Sequence, residues 1–292
     1  MRSADGTFNS STCIVSGADE IRLRSYINHS IYARIYGLDY RLECGIAEGV
    51  VNKFFYKTSI IARVLPRYDW IVWMDDDTFI TDFSRDTFRE LIDQAESRGQ
   101  FLVLAEGPVE PNGFWSVVNT GVMLIKNCNE SFEMLGAMDD AHLADVEDWW
   151  DEECHGVFTG GDQDVVVWWL ETNGLMDRVQ IVGHATLNSR GHYYTESLSD
   201  AFIMHFCGYP DKEWGVVRFA KRFGVGQELV PDELLDRFSV RVRSPMSDRE
   251  FARRDLVTRT TSRVKKELRP YYHRLRDLRA SRQANGGGAA GH

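Results

Sequence analysis

Asp75, Asp76 and Asp77 stand in a row behind Trp70-Ile-Val-Trp-Met74, a continuous apolar run. Adjacent carboxylates repel, and the end of a buried strand withholds the water that would solvate them, so three in succession call for a cation. Side chains two apart in an extended strand share a face, which lets Asp75 and Asp77 address one ion. Oxygen donors select a hard divalent cation, Mn²⁺ or Mg²⁺, which keeps several waters and takes its remaining ligands from substrate phosphates. The competing reading is an acidic turn that caps the next helix. Asn119 and Thr120 interrupt a second apolar run, Val118 to Ile125, where unpaired polar side chains are costly. Contact with a ligand and bonding to nearby backbone account for them equally well. Gly160-Gly161-Asp162-Gln163 opens a helical pattern, so polar side chains and a helix N-terminus meet where an anionic ligand is favoured; Asp162 as a plain N-cap is the alternative. His205, at a strand end, can complete a metal site as a neutral imidazole if its other nitrogen has a partner.

Those residues need strands and helices to carry them. Cys13–Ser16, Tyr40–Cys44, Trp70–Met74, Phe101–Ala105, Trp115–Ile125, Val179–Val182 and Ala201–Phe206 read as strands. Helical spacing appears from Ile21 to Ile35, ended by Gly37, and from Lys53 to Leu65, ended by Pro66. It returns over Asp86–Ser97, Ser131–Leu143 and Val165–Leu170, while Trp149–Phe158 reads as an acidic aromatic loop. The early alternation of strand and helix predicts an α/β fold with a parallel sheet covered on both faces. In such sheets ligands bind beyond the carboxyl ends of the strands, which is where Asp75 to Asp77 fall.

Four segments in order resemble glycosyltransferase family 34, the α-galactosyl-, mannosyl- and xylosyltransferases of plant and fungal glycans. They are Tyr68–Asp82 around the DxD, Val118–Asn127, Gly161–Gln163 and Phe202–Gly208. The resemblance spans residues 13 to about 210. It implies a GT-A fold, Rossmann-like and mostly parallel, and retaining transfer of a hexose or pentose from a nucleotide-diphosphate sugar to a glycan or glycolipid. Asp75, Asp77 and His205 match the residues that hold Mn²⁺, with Mg²⁺ as the alternative. Gln163 would lie under the anomeric carbon of the donor and Asp162 would bind sugar hydroxyls. Lys57, Asp76, Asn119, Thr120 and Gly121 join the substrate-binding set, and by fold analogy Ser16 and Gly17 meet the nucleoside. Two departures stand out. Gly161 replaces an acid usual in the family, and a family lysine after the histidine motif is absent because Pro210 stands there, leaving Lys212 as the nearest substitute. The partners implied are a UDP- or GDP-sugar and a glycan or lipid-linked saccharide acceptor. Trp149 and Trp150 are candidates for an acceptor lid, whereas Trp168 and Trp169 read as core.

Composition sets the outer bounds. With 292 residues, 43% apolar and 27% charged, the chain is neither disordered, nor collagen-like, nor a small disulfide scaffold. The net charge of −10 argues against nucleic acid as partner, yet it is uneven. Fifteen Lys/Arg face five Asp/Glu between Arg237 and Arg282, leaving nineteen against thirty-nine elsewhere. Val264 to Leu278 alternates basic residues with Leu268, Tyr271, Tyr272, Leu275 and Leu278, a pattern that fits peripheral contact with an anionic membrane. The expected organisation is a disordered 1–12, a GT-A glycosyltransferase domain over 13–230, a basic helical extension over 231–284 and a disordered 285–292. Five cysteines without a CxxC pair suit reduced thiols, and no apolar run reaches the roughly 18 residues of a membrane span. The matching location is cytoplasmic, peripheral on the inner face of the membrane, with the Golgi lumen requiring an N-terminal anchor outside this chain. Two rivals compete: a haloacid-dehalogenase-type phosphohydrolase, disfavoured by Phe79 and Val166 at its motif positions, and a non-catalytic nucleotide-sugar-binding protein.

Overall fold

The structure, a computed structural model, describes residues 11–45, 55–140, 142–242 and 246–286, with side chains to residue 269 except that of residue 140. It opens with β1 (Thr12–Ala18), α1 (Ser25–Tyr36), β2 (Asp39–Cys44), α2 (Tyr56–Val64), β3 (Trp70–Asp75) and β4 (Thr78–Ile80). Next come α3 (Thr87–Ser97), β5 (Leu102–Ala105), β6 (Asn119–Lys126), α4 (Asn129–Asp140), α5 (Leu143–Trp149) and α6 (Glu152–His155). α7 (Asp162–Thr172), β7 (Val179–Val182), α8 (His184–Leu187), β8 (Ile203–His205), α9 (Lys212–Phe223), α10 (Asp232–Arg237) and α11 (Asp248–Gly286) complete the order. The chain divides into two compact units, residues 1–241 and 242–292. Thr12 already belongs to β1 and α11 runs through Asn285 and Gly286, so strand and helix reach into both expected disordered ends. Residues 1–10 and 287–292 lie outside the described residues, as do the expected first helical residue Lys53 and the side chains of Tyr271, Tyr272, Leu275 and Leu278.

The first unit is built on a six-stranded sheet in the order β2-β1-β3-β6-β5-β7. Strand β1 is parallel to β2 and β3, and β5 is parallel to β7. The sheet is mostly parallel, as expected, and β6 is the exception, running antiparallel to both its neighbours. Both faces of the sheet are covered, and the alternation of side chains shows on which face each residue falls. Cys13, Val15, Ile71, Trp73, Met123 and Ile125 pack with α2, α4 and α7, while Ile14, Trp70, Val72, Met74, Val122 and Leu124 pack with α1 and α3. This is why the strands read as unbroken apolar runs, not as alternating ones.

Local signals locate several helix ends. Gly37 adopts the left-handed conformation (φ 67°) and its N–H bonds Ala33 O, closing α1 as its position suggests. Asp86 caps α3 by accepting from Arg89 N. The Trp149–Phe158 segment departs from the loop expectation, because α5 continues through Trp149 and a short turn of helix, α6, follows. Trp149 stacks on His155 at 4.7 Å and Trp150 Nε1 donates to Gly156 O at 2.8 Å, so both indoles are held by their own segment. Trp169 is buried against the core, as expected. A two-stranded antiparallel sheet of β4 and β8 pairs Thr78 with His205. In the second unit, α11 exposes Leu256, Val257, Val264 and Leu268. Among the described residues no helix is long and apolar enough to cross a membrane, and the five cysteines are free.

Candidate active site

The reversal of β6 assembles the site. Because β6 pairs antiparallel with β3 in the register Met74–Val122, its first residues, Asn119 to Gly121, lie beside the carboxyl end of β3 and hence beside Asp75. The β4–β8 pairing supplies the third side, since Phe206 N donates to Asp77 O at 2.9 Å and His205 sits across from Thr78. Asp75, Asp77 and His205 thereby bring one ligand atom each within 4.8 Å of one another. They face a cavity of about 860 Å³ also lined by Lys57, Asp76, Asn119, Thr120, Gly121, Asp162, Gln163 and Lys212.

The carboxylates are ordered by named partners. Asp75 Oδ1 accepts from Trp73 Nε1 at 2.7 Å and pairs with Lys57 Nζ at 3.1 Å. Lys57 also meets Asp162 Oδ2 at 2.8 Å and donates to Thr120 O at 3.1 Å, and Thr120 Oγ1 donates to Asp162 Oδ2 at 2.7 Å. Burial works against the charge on Lys57, but Asp162 and Asp75 outweigh it and raise its pKa. Burial raises Asp75, with Lys57 opposing. Burial and the neighbouring Asp77 and Asp75 push Asp76 up to about 6. Asp77 Oδ1 lies 3.2 Å from His205 Nε2 and its Oδ2 pairs with Lys212 Nζ at 2.6 Å; burial alone would raise it, and those two partners bring it well below the usual carboxylate range. His205, disfavoured as a cation by burial, is nonetheless raised to about 10 by Cys207 and Asp77. The turn from Gly208 to Asp211 thus carries Lys212, two positions late in the sequence, onto Asp77.

Asp162 is the first residue of α7 and not its cap: Gly161 holds the N-cap position. Asp164 is fully buried and accepts from Thr159 N, Thr159 Oγ1 and Gly161 N, so it orders the turn and does not take the place of the acid missing at Gly161. Gln163 Oε1 accepts from Asn119 Nδ2 at 3.3 Å, and Asn119 Oδ1 accepts from Gly121 N at 3.0 Å. Gly121 is required by proximity, because a Cβ there would lie 2.3 Å from His205 Cε1. Gly121→Ala is therefore expected to displace the imidazole, and any divalent cation the cluster holds should bind about 10–100-fold more weakly. A Mn²⁺ titration would show an unchanged affinity if that close approach had no consequence.

Ser16 and Gly17 are not among the residues that line the cavity. Ser16 donates to His29 Nδ1 at 2.6 Å, His29 Nε2 donates to Thr78 O at 2.8 Å, and Gly17 O accepts from Tyr56 Oη. His29 is wholly buried, and burial lowers it to about 4. The unfolded chain binds a proton near pH 6.5 that the folded chain refuses until about 4, so stability attributable to His29 is present above 6.5 and lost as the pH falls between those values. The stability advantage of the wild type over His29→Gln should shrink by about 3 kcal/mol across that window. Urea unfolding of both proteins at several pH values checks this, and a pH-independent difference would contradict it.

Sequence reasoning missed Trp73, Asn188, Arg190 and Tyr56. Trp73 had a signal, a polar Nε1 two residues before Asp75 on the same strand face. Asn188 and Arg190 had none, since Asn188 reaches His205 across 17 residues of chain and Arg190 acts through Asn188.

The fold is the GT-A fold of glycosyltransferases. Over 75% of this chain and 99% of the other, it matches the crystal structure of a glycosyltransferase involved in the glycosylation of the major capsid of PBCV-1, with a TM-score of 0.54 and 17% identity. In sequence the chain is similar to plant glycosyltransferases. Galactomannan galactosyltransferase 1 of Cyamopsis tetragonoloba is 27% identical over 120 residues, 40% of this chain and 27% of that protein. Glycosyltransferase 6 of Arabidopsis thaliana is 28% identical over 131 residues, 43% and 29% respectively. The chain thus spans less than a third of the length of these relatives. No protein-family model matches it.

Proposed function

We propose that this chain is a metal-dependent retaining glycosyltransferase of the family 34 type, moving a hexose or pentose from a UDP- or GDP-sugar to a glycan or lipid-linked saccharide. The observation that carries the reading is the Asp75–Asp77–His205 cluster, at the carboxyl end of a GT-A sheet and inside a cavity that also presents Gln163, Asn119 and two lysines. Two carboxylates and an imidazole suit Mn²⁺, with Mg²⁺ as the alternative, and six acidic side chains against four Lys/Arg around the cavity leave room for cationic charge. When bound, the cation would supply Lewis-acid stabilisation of the departing diphosphate. Asp75 and Asp77 would hold it with His205 Nε2, and Lys212, beside Asp77, would meet phosphate oxygens. Lys57 and Thr120 orient the Asp162 carboxylate toward sugar hydroxyls, and Asn119 fixes the amide of Gln163 beside the transferring carbon. The phosphohydrolase alternative finds no support, since its late acid would fall on Val166, which is fully buried in α7.

A thermal-shift screen of UDP- and GDP-sugars, with Mn²⁺ and with a chelator, tests the proposal. A ligand at 100 times its Kd adds about 2.7 kcal/mol to stability, which for a domain of this size raises Tm by roughly 5–10 °C. The shift should require Mn²⁺ and be accompanied by slow donor hydrolysis. Binding without turnover, with acceptor glycans present, would favour the non-catalytic reading. No shift with any nucleotide sugar would remove both.

A further inference from the structure

His205 is held from behind by a buried relay. Its Nδ1 lies 2.9 Å from Asn188 Oδ1, and the same oxygen accepts from Arg190 Nη1 at 2.7 Å. Asn188 Nδ2 donates to Glu106 O at 3.1 Å. The orientation of this amide is determined twice over: a guanidinium offers only donors, so the atom facing it is the oxygen, and a carbonyl only accepts, so the atom facing it is the nitrogen. Arg190 is itself braced by Glu110 Oε1 at 2.7 Å and by Asn188 O at 3.1 Å. Asn188, Arg190 and His205 are 1%, 5% and 2% exposed, so water does not compete for these bonds.

We infer that Asn188, locked by Arg190, is a positioning residue that keeps the proton of His205 on Nδ1 and so directs Nε2 into the Asp75–Asp77 cluster. An oxygen that already receives a guanidinium can bond Nδ1 only if Nδ1 donates. The nitrogen on the cavity side, 3.2 Å from Asp77 Oδ1, is then the one available to a cation. A histidine ligand whose second nitrogen is unanchored loses both its tautomer and its ring orientation, which typically costs 10–100-fold in metal affinity. The inference rests on the metal reading above for its consequence, but the bond itself does not need a metal.

Two measurements on the full chain separate these parts. Mn²⁺ binding, followed by electron paramagnetic resonance, should weaken about 10–100-fold in Asn188→Ala and clearly less in Asn188→Asp, whose carboxylate still accepts from both Nδ1 and Arg190 although it gives up the bond to Glu106 O. Wild-type affinity in Asn188→Ala, or equal loss in both variants, overturns the inference. In protein with isotope-labelled histidine, the Nδ1-bound proton of His205, assigned by its absence from His205→Gln, should exchange slowly with water in the wild type. An Nδ1 without a proton in the wild type overturns the inference even if Asn188→Ala does not fold. A wild type that shows this proton yet binds no Mn²⁺ sinks the metal reading while leaving the positioning of the ring intact.

Discussion

Replacing Asp77 with alanine is expected to lower sugar transfer and donor hydrolysis by on the order of 100- to 1,000-fold, the loss seen when one preorganised electrostatic contact to a developing charge is removed. Asp77 is 3% exposed and its two oxygens meet His205 and Lys212. Its removal takes one of three donors from the cluster and leaves the Lys212 ammonium beside it without its carboxylate partner. Both effects oppose a divalent cation, so Mn²⁺ affinity should fall with activity. Turnover of a UDP-sugar across a Mn²⁺ titration, with circular dichroism to verify folding, reads the two together. Should transfer and hydrolysis persist at wild-type rates in a folded variant, the metal assignment is wrong.

The second large effect concerns stability. Lys57→Met keeps the length and apolar stem of the side chain but removes the ammonium shared by Asp75 and Asp162. Lys57 is 4% exposed and its partners Asp162 and Asp75 are buried and partly buried, so the loss leaves both carboxylates short of their cation, and breaking a buried pair this way costs about 3–5 kcal/mol. For a unit of this size that corresponds to a Tm lowered by roughly 6–20 °C in the presence of chelator. Adding Asp162→Asn to the same protein should recover part of the loss, because one of the two stranded charges is then gone. A thermal melt of the single variant within about 2 °C of wild type would mean that Lys57 contributes no net pairing energy.

The legible part of the site had local physical causes. Asp75 to Asp77 were recognisable because charge after an apolar strand is costly wherever that strand lies. Gly37 and Asp86 announced helix boundaries through backbone geometry and capping, which act within a turn of chain. Lys57 was legible only by resemblance; spacing alone makes a helical lysine a solvated one, and its burial between two carboxylates follows from which face of α2 meets the sheet. Ser16 shows the same dependence in reverse. It stands at a strand end, but tertiary packing places His29 against its hydroxyl and turns it away from the cavity lining.

The covered α/β sheet, the acidic strand end and the separation of a basic, helical C-terminus from an acidic body follow from local pattern, because apolar runs, adjacent charges and capping residues act over a few neighbours. Tertiary structure alone decided the direction of β6, the pairing of β4 with β8 and the relay from Glu110 through Arg190 and Asn188 to His205. Each joins residues far apart in the chain. Hydrogen-bond direction between strands and the contents of a buried polar cluster are settled by which partners arrive in space, and no local pattern records that.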